Sequence, residues 1–187
     1  MSAGLTLVDA CEEKHFIAMS LIHALGWRTT YQDAVPADYM AAEVTDTRWV
    51  PFFREDYKSG RCRGLLLYRE DTPVCCGTYG PARVGPSPRQ SSLVSFDSRG
   101  YEDWGEIISF YTHPDEKGKG YGSLLMEEML RRLRGDGVSQ VFVLVLRENA
   151  RARRFYERHG FAWDGTYEDI PFPHGMVCRD LRYVRKA

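Results

Sequence analysis

The chain has 187 residues, of which 43% are hydrophobic and 27% charged, and a formal net charge of −1. Those values fit one globular domain spanning 1–187, with room for a core, and exclude a disordered chain. The near-neutral balance also argues against a general nucleic-acid binder or a membrane-surface binder.

Residues 5–8 alternate weakly, as a short first strand would. From Ala10 to Leu25 apolar residues recur at helical spacing (Phe16, Ile17, Leu21, Ile22, Leu25), and Gly26 is expected to stop the helix. The run follows acidic Glu12 and Glu13 and is too short to span a bilayer, so neither a signal peptide nor a membrane segment is expected. A proline-containing link leads to a helical region over 39–57, with an interruption expected at Pro51. Segments 61–69 and 72–83 read as a hairpin turning at 70–73. Segment 84–103 is irregular and reads as a long loop. A strand at 105–112, a helix at 121–134, a strand at 140–146 and a helix at 149–159 follow, and strands at 161–168 and 176–184 close the chain. The order is that of one mixed α/β domain.

Cys11, Cys62, Cys75, Cys76 and Cys178 contain no CxxC pair and no nearby histidine at zinc spacing. They read as reduced packing thiols of a cytoplasmic protein, with no metal expected. Cys75 and Cys76 would face opposite sides of a strand.

The most informative stretch is 106–126. A strand runs into Lys117-Gly-Lys-Gly-Tyr-Gly-Ser123 and then into an amphipathic helix. A glycine-rich helix N-terminus presents unpaired backbone N–H groups and the positive end of the helix dipole, a combination that holds phosphate. Lys117 and Lys119 add charge, while Gly120 and Gly122 let a bulky anion approach the backbone. The spacing does not satisfy the nucleotide P-loop. A second patch lies at 149–161, where Asn149 is placed to cap a helix, Gly160 to end it, and Tyr156 to sit two turns along from Asn149. Arginines at 147, 151, 153, 154 and 158 surround it.

Together the two patches resemble the GNAT superfamily of acyl-CoA-dependent N-acetyltransferases. Segment 106–126 is similar to its motif A, with Lys117 standing where the family carries Gln or Arg in Q/R-x-x-G-x-G/A. Segment 149–161, ending Tyr-Glu-Arg-His-Gly-Phe, is similar to its motif B. The resemblance implies the acyl-CoA N-acyltransferase fold, an α/β domain with a mostly antiparallel mixed sheet flanked by helices and a splayed parallel strand pair at the cofactor cleft. It implies acetyl-CoA as co-substrate. Phe110, Tyr111 and Thr112 would pair with the pantetheine arm, the turn Lys117, Gly118, Lys119, Gly120, Tyr121, Gly122 and Ser123 would hold the pyrophosphate, and Asn149 would bond near the pantetheine. Tyr156 would lie beside the thioester sulfur and protonate the departing thiolate.

An alkylammonium, with a pKa of about 10.4, must lose a proton before it attacks a thioester. Glu106, at the start of the motif A strand, is the leading candidate for that base, with Glu148, Tyr111 and His113 behind it. His15 and His23 are expected to do no chemistry. Trp27, Tyr31, Tyr79, Tyr101, Glu102, Asp103 and Trp104 supply aromatic and acidic groups suited to a cationic amine. The expected partner is a small-molecule amine acetylated by direct attack in a ternary complex, with a peptide amine as the wider option. Nucleic acid and membrane are not expected, and a homodimer is admissible. Two rivals stand beside this reading: a non-catalytic acyl-CoA sensor on the same fold, and a phosphotransferase using the glycine turn.

Overall fold

A computed structural model of the chain describes residues 4–83 and 100–187. Most of the irregular segment expected at 84–103 lies outside the described residues. The strands are β1 (Leu5–Asp9), β2 (Arg63–Arg69), β3 (Thr72–Pro81), β4 (Trp104–Thr112), β5 (Gln140–Leu146), β6 (Ala162–Pro171) and β7 (Val177–Lys186). The helices are α1 (Glu13–Thr30), α2 (Ala37–Glu43), α3 (Val50–Ser59), α4 (Tyr121–Gly135) and α5 (Ala150–Arg158). Among the described residues one seven-stranded sheet runs β1-β2-β3-β4-β5-β7-β6, and only β4 and β5 are parallel neighbours.

Each face of the sheet carries its own core. On one face Leu65, Leu67, Cys75, Tyr79, Ile107, Val141, Val143 and Val145 pack against Leu125, Met126, Met129, Leu130 and Leu133 of α4 and Tyr156 of α5. Leu125, Met126, Met129 and Leu133 are at most 1% exposed; burying each such side chain is worth about 1.5–3 kcal/mol. On the other face Leu66 and Cys76 meet Phe16, Met19 and Ile22 of α1 and Val50 and Phe53 of α3. The adjacent Cys75 and Cys76 thus serve opposite cores, as strand alternation requires. All five cysteines are free.

Two helix boundaries differ from the expectation. Gly26 does not end α1, which continues to Thr30. A Cβ at residue 26 would sit 2.3 Å from Tyr111 Cδ1, so the glycine there allows close approach of α1 to β4 rather than termination. Pro51 does not interrupt a long helix; it stands in the first turn of α3, where its missing N–H costs nothing. Ser20 of α1 accepts the backbone N–H of Trp49 at 3.1 Å and so ties α1 to the start of α3.

At the N-terminus of α1, Cys11, Glu12 and His15 bring ligand-type atoms within 4.8 Å of one another. His15 Nδ1 already accepts the backbone N–H groups of Cys11 and Glu12 at 3.3 Å each, which makes the group a helix start. Among the described residues no helix is long and apolar enough to cross a membrane.

The feature that positions the site is a local defect in β4. Thr78 pairs with Ser109 and Tyr79 with Ile107, so Ile108 is an extra residue that bulges from the β3 ladder. Pairing of β4 with β5 stops at the same level, at Ile107 and Val143. Both strands continue, β4 to Thr112 and β5 to Leu146. They diverge into a V whose inner edges carry backbone groups that the sheet does not use.

Candidate functional site

The V opens into a cleft of ≈ 380 Å3. Residues 108–112 of β4 form one wall and Val143, Leu144 and Val145 of β5 the other; the glycine turn and α5 close its ends. The turn that leads into α4 has the geometry its sequence predicts. Gly118 and Gly120 adopt φ of +89° and +86°, which favour glycine, and Gly120 is the N-cap of α4. Ser123 and Leu124 donate back to the Gly120 carbonyl. The amides of residues 118–122 make no hydrogen bond to any described residue and stand free at the positive end of the α4 dipole. Gly122 packs tightly: a Cβ there would meet Phe155 at 3.3 Å and Thr112 Oγ1 at 3.5 Å.

Most of the expected cofactor residues converge on this cleft: Phe110, Tyr111, Thr112, Lys117, Gly118, Gly120, Tyr121, Gly122, Ser123, Asn149 and Tyr156 all line it. Lys119 does not, and its ammonium instead pairs with Glu116 at 2.9 Å. Asn149 caps α5, its side-chain oxygen accepting Ala152 N–H at 3.0 Å. Arg151 and Arg158 line the rim. Burial, with Arg151 nearby, lowers the pKa of Lys117, as expected where several cations share one anion site.

Tyr156 is 6% exposed. Burial, followed by the neighbouring Tyr31, Cys75 and Asp180, pushes its pKa well up, so the phenol keeps its proton throughout the neutral range. Tyr31, pushed up to about 12 by burial and then by Asp180, and Tyr111 lie in the same wall. Tyr111 is half-buried by area, yet protein crowds its hydroxyl, and that crowding and Tyr31 raise its pKa.

Glu106 stands elsewhere. It is fully buried and absent from the cleft wall. Its Oε2 accepts the backbone N–H of Arg83 at 3.1 Å and Arg83 Nε–H at 3.0 Å, and its Oε1 accepts from Arg83 Nη2 at 2.9 Å. Among the other expected substrate residues, Trp27 and Tyr31 lie near β4. Tyr79 is buried in the core beside Arg63 and Arg132, and Tyr101 and Trp104 pack together near Arg182.

A second cavity, of ≈ 220 Å3, lies on the α1/α3 side of the sheet. It meets the first at Ile108 and Ser109, which line both. Trp27, Tyr39, Trp49, Phe52, Phe53 and His23 give it aromatic walls. The sequence reading did not find this cavity: His23 sits between the apolar pairs Leu21-Ile22 and Ala24-Leu25 on α1, and Phe52, Phe53 and Asp56 read as ordinary helix residues. The signal available was the density of aromatics at helical spacing on both α1 and α3.

Residues 24–161 match the model of the acetyltransferase (GNAT) family. The uncharacterized N-acetyltransferase YuaI of Bacillus subtilis is 25% identical over 128 residues, covering 68% of this chain and 64% of that protein. A mycothiol acetyltransferase of Beutenbergia cavernae is 44% identical over 57 residues, 30% of this chain and 19% of that one. The chain thus spans less than two thirds of the length of these curated relatives. The crystal structure of the PaiA N-acetyltransferase of Thermoplasma acidophilum in complex with coenzyme A has the same fold, with a TM-score of 0.70, 14% identity and full coverage of both chains.

Proposed function

The chain belongs to the GNAT acetyltransferase family, and on that premise we propose that it transfers an acetyl group from acetyl-CoA to the amine of a small molecule. The observation that carries this reading is the splayed β4–β5 pair, which opens onto the free amides of residues 118–122 and is lined by Tyr156. A cleft with an unused strand edge, a diphosphate seat and a cationic rim fits an acyl-CoA: the edge can pair with the amides of the pantetheine arm, and the turn with its pyrophosphate. Acetyl-CoA supplies an activated acyl group on a thioester, and the chain supplies orientation and proton control. Lys117, Arg151 and Arg158 hold the anionic end, and residues 108–112 align the arm along β4. Unpaired strand-edge amides there are suited to stabilising developing oxyanion charge, where a single donor is worth ~10²–10³ in rate. In the overall exchange an N–C bond forms and a C–S bond breaks. The ammonium nitrogen loses two protons in all: one passes to water before attack, and the second, released as the N–C bond forms, returns to Tyr156 in place of the proton that Tyr156 gives to the departing thiolate.

We read Glu106 as the buried counter-ion of Arg83 rather than as the base. A carboxylate that accepts three N–H bonds is held in its ionised form and is a weak base. Its work is to fix the end of β3 against β4 beside the bulge. The second cavity, on the opposite side of the β4 bulge from the cleft, is the entry for the acceptor, because only Ile108 and Ser109 separate the two.

Acetyl-CoA, CoA and ATP in a thermal-shift series provide the first test. Stabilisation by both CoA compounds and not by ATP is expected; no shift with either would overturn the assignment. Thiol release across an amine library then separates an enzyme from a sensor. Tyr156→Phe is expected to lower kcat by roughly 10²-fold or more while leaving the acetyl-CoA Kd within about twofold.

A further inference from the structure

The second cavity carries more information than its position. Its volume, ≈ 220 Å3, equals about seven waters at ~30 Å3 each, so it accommodates a group on the order of ten heavy atoms. Aromatic rings make up much of its wall, with Arg48, Asp56 and Arg83 among them. The His23 ring is sandwiched between Trp49, at 4.0 Å and 10°, and Tyr111, at 4.2 Å and 29°. Trp27 and Phe53 lie against the same ring. His23 is 7% exposed and its Nδ1 has no hydrogen-bond partner. Burial drives its pKa down to about 3, so it stands in this wall as a neutral ring with an unused polar atom.

Among the described residues, the charges at the cavity sum to one negative. Two arginines line it, and each has a carboxylate of its own. Arg48 pairs with Glu43 and also donates to the Glu43 carbonyl, and Arg83 is held by Glu106. Asp56 of α3 is the third charged residue in the wall. No described residue donates a hydrogen bond to its carboxylate; the one hydrogen bond at Asp56 is accepted by its backbone carbonyl, from Ser59. Burial raises its pKa to about 6 against the opposing influence of Arg83, with Glu55 adding to the rise and the buried Cys62 close by. The carboxylate is therefore ionised at neutral pH, in an aromatic enclosure, with a negative charge that the paired arginines leave unbalanced.

From this cavity we infer that the acceptor is a compact arylalkylamine without a carboxylate, its ring lying against the aromatic wall that Trp27, Phe52 and Trp49 form beside the edge of His23 and its cationic charge balanced by Asp56. This rests on the acetyl-transfer reading of the adjoining cleft and narrows it. A cation gains from both the aromatic faces and the carboxylate where the walls of the cavity screen them from part of the solvent. An α-amino acid with the same ring would bring a second carboxylate towards Asp56 and find both arginines already paired. A hydroxyl on the ring would give the His23 Nδ1 atom the partner it lacks. An aliphatic diamine would satisfy Asp56 and leave the aromatic walls without a stacking partner.

Matched pairs test the inference in the full-length protein: 2-phenylethylamine against phenylalanine, tyramine against tyrosine, tryptamine against tryptophan, with putrescine as the aliphatic control. Initial rates of CoA release are measured alongside acetyl-CoA binding by calorimetry. The amines are expected to exceed the amino acids and putrescine in kcat/KM by tenfold or more, since one uncompensated charge in such an enclosure is worth about that factor. Asp56→Asn is expected to raise the amine KM by about tenfold and to narrow the gap to the amino acid, with the acetyl-CoA Kd unchanged. Trp49→Leu should raise the KM for the arylalkylamines more than that for putrescine. Amino acids or putrescine turning over as well as the arylalkylamines, or Asp56→Asn leaving the amine KM unaltered, would overturn the inference. Loss of acetyl-CoA binding in the wild-type protein would instead overturn the reading of the cleft, so the two failures are distinguishable.

Discussion

Single residues decide whether two elements can meet. Gly26 is the clearest case. Helix propensity disfavours glycine in the middle of α1, yet a side chain there would drive into the base of the Tyr111 ring, 2.3 Å from Cδ1. The ring has little freedom to step aside, because it is stacked on His23 and lines the cleft. Gly26→Ala is therefore expected to destabilise the fold by about 1–3 kcal/mol through overpacking, despite its gain in helix propensity. It should also weaken acetyl-CoA binding. Urea denaturation gives the first effect and calorimetry the second; an unchanged midpoint would show that α1 tolerates displacement from β4. Gly120 works differently, since its φ of +86° sets the turn that exposes the amides. Both glycines are visible in the sequence, but only Gly120 announces its role, by standing in a glycine-rich turn before a helix.

At the scale of elements, α1 and β4 each bury polar groups that the sequence pattern does not mark. The apolar periodicity of α1 pointed to Ile17 and Leu21 among its core residues, yet these are 46% and 37% exposed, while Ser20 and His23 are buried. The polar residues belong inside because each has a task, Ser20 as acceptor for Trp49 and His23 as a wall of the second cavity. His23 makes stability depend on pH. Its native pKa lies near 3, below the ordinary 6.5, so the unfolded chain binds the extra proton first and stability falls as pH drops below 6.5. A loss of about 2–3 kcal/mol between pH 7 and pH 4 is expected, and His23→Phe should flatten that part of the profile while keeping a ring between Trp49 and Tyr111. Denaturation midpoints at a series of pH values measure it, and identical slopes for the two proteins would refute it. On β4, Glu106→Gln removes one charge of a buried ion pair. It is expected to cost about 3 kcal/mol, because Arg83 is left desolvated beside a neutral amide. A stable Glu106→Gln protein with normal acetyl-CoA binding and no turnover would instead restore Glu106 as the base.

For the whole molecule, the sheet is a partition with a small opening. Acetyl-CoA is assigned to the α4/α5 face and its edge at the V, and the acceptor to the α1/α3 face; both cavities touch at the bulged Ile108. Such a design sets function against stability at Asp56. Its native pKa, about 6 against an ordinary 3.8, means the native state holds the proton longer than the unfolded chain. Stability contributed by the protonated carboxyl is present below pH 4 and is lost as pH rises through about 6. Asp56→Asn is accordingly expected to stabilise the protein at pH 7 by about 1–2 kcal/mol, after allowance for solvent screening of a partly exposed group. The same variant should lose affinity for the amine. A thermal scan at pH 5 and pH 7.5 would show the gain growing with pH; a gain independent of pH would point to packing rather than charge.

How much of this was legible beforehand depends on the range of the interaction. The strand–glycine turn–helix of the cleft, the capping role of Asn149 and the position of Tyr156 follow from contacts within a few residues or a helical turn, so the linear pattern contains them. The opposite faces of Cys75 and Cys76 follow in the same way from the period of a strand. The ion pair of Glu106 with Arg83 joins residues 23 apart, and His23 is enclosed by Trp49 and Tyr111 from two other elements. Nothing local distinguishes a carboxylate that will be exposed from one that a distant guanidinium will capture. The sequence by itself determined the succession of elements and the glycine turn that opens α4, because hydrogen-bond periodicity and backbone conformation are local. Only the tertiary structure decided which carboxylate is free, where β4 parts from β5 and that a second cavity meets the first at Ile108, because burial and charge pairing are set by which distant segments the fold brings into contact.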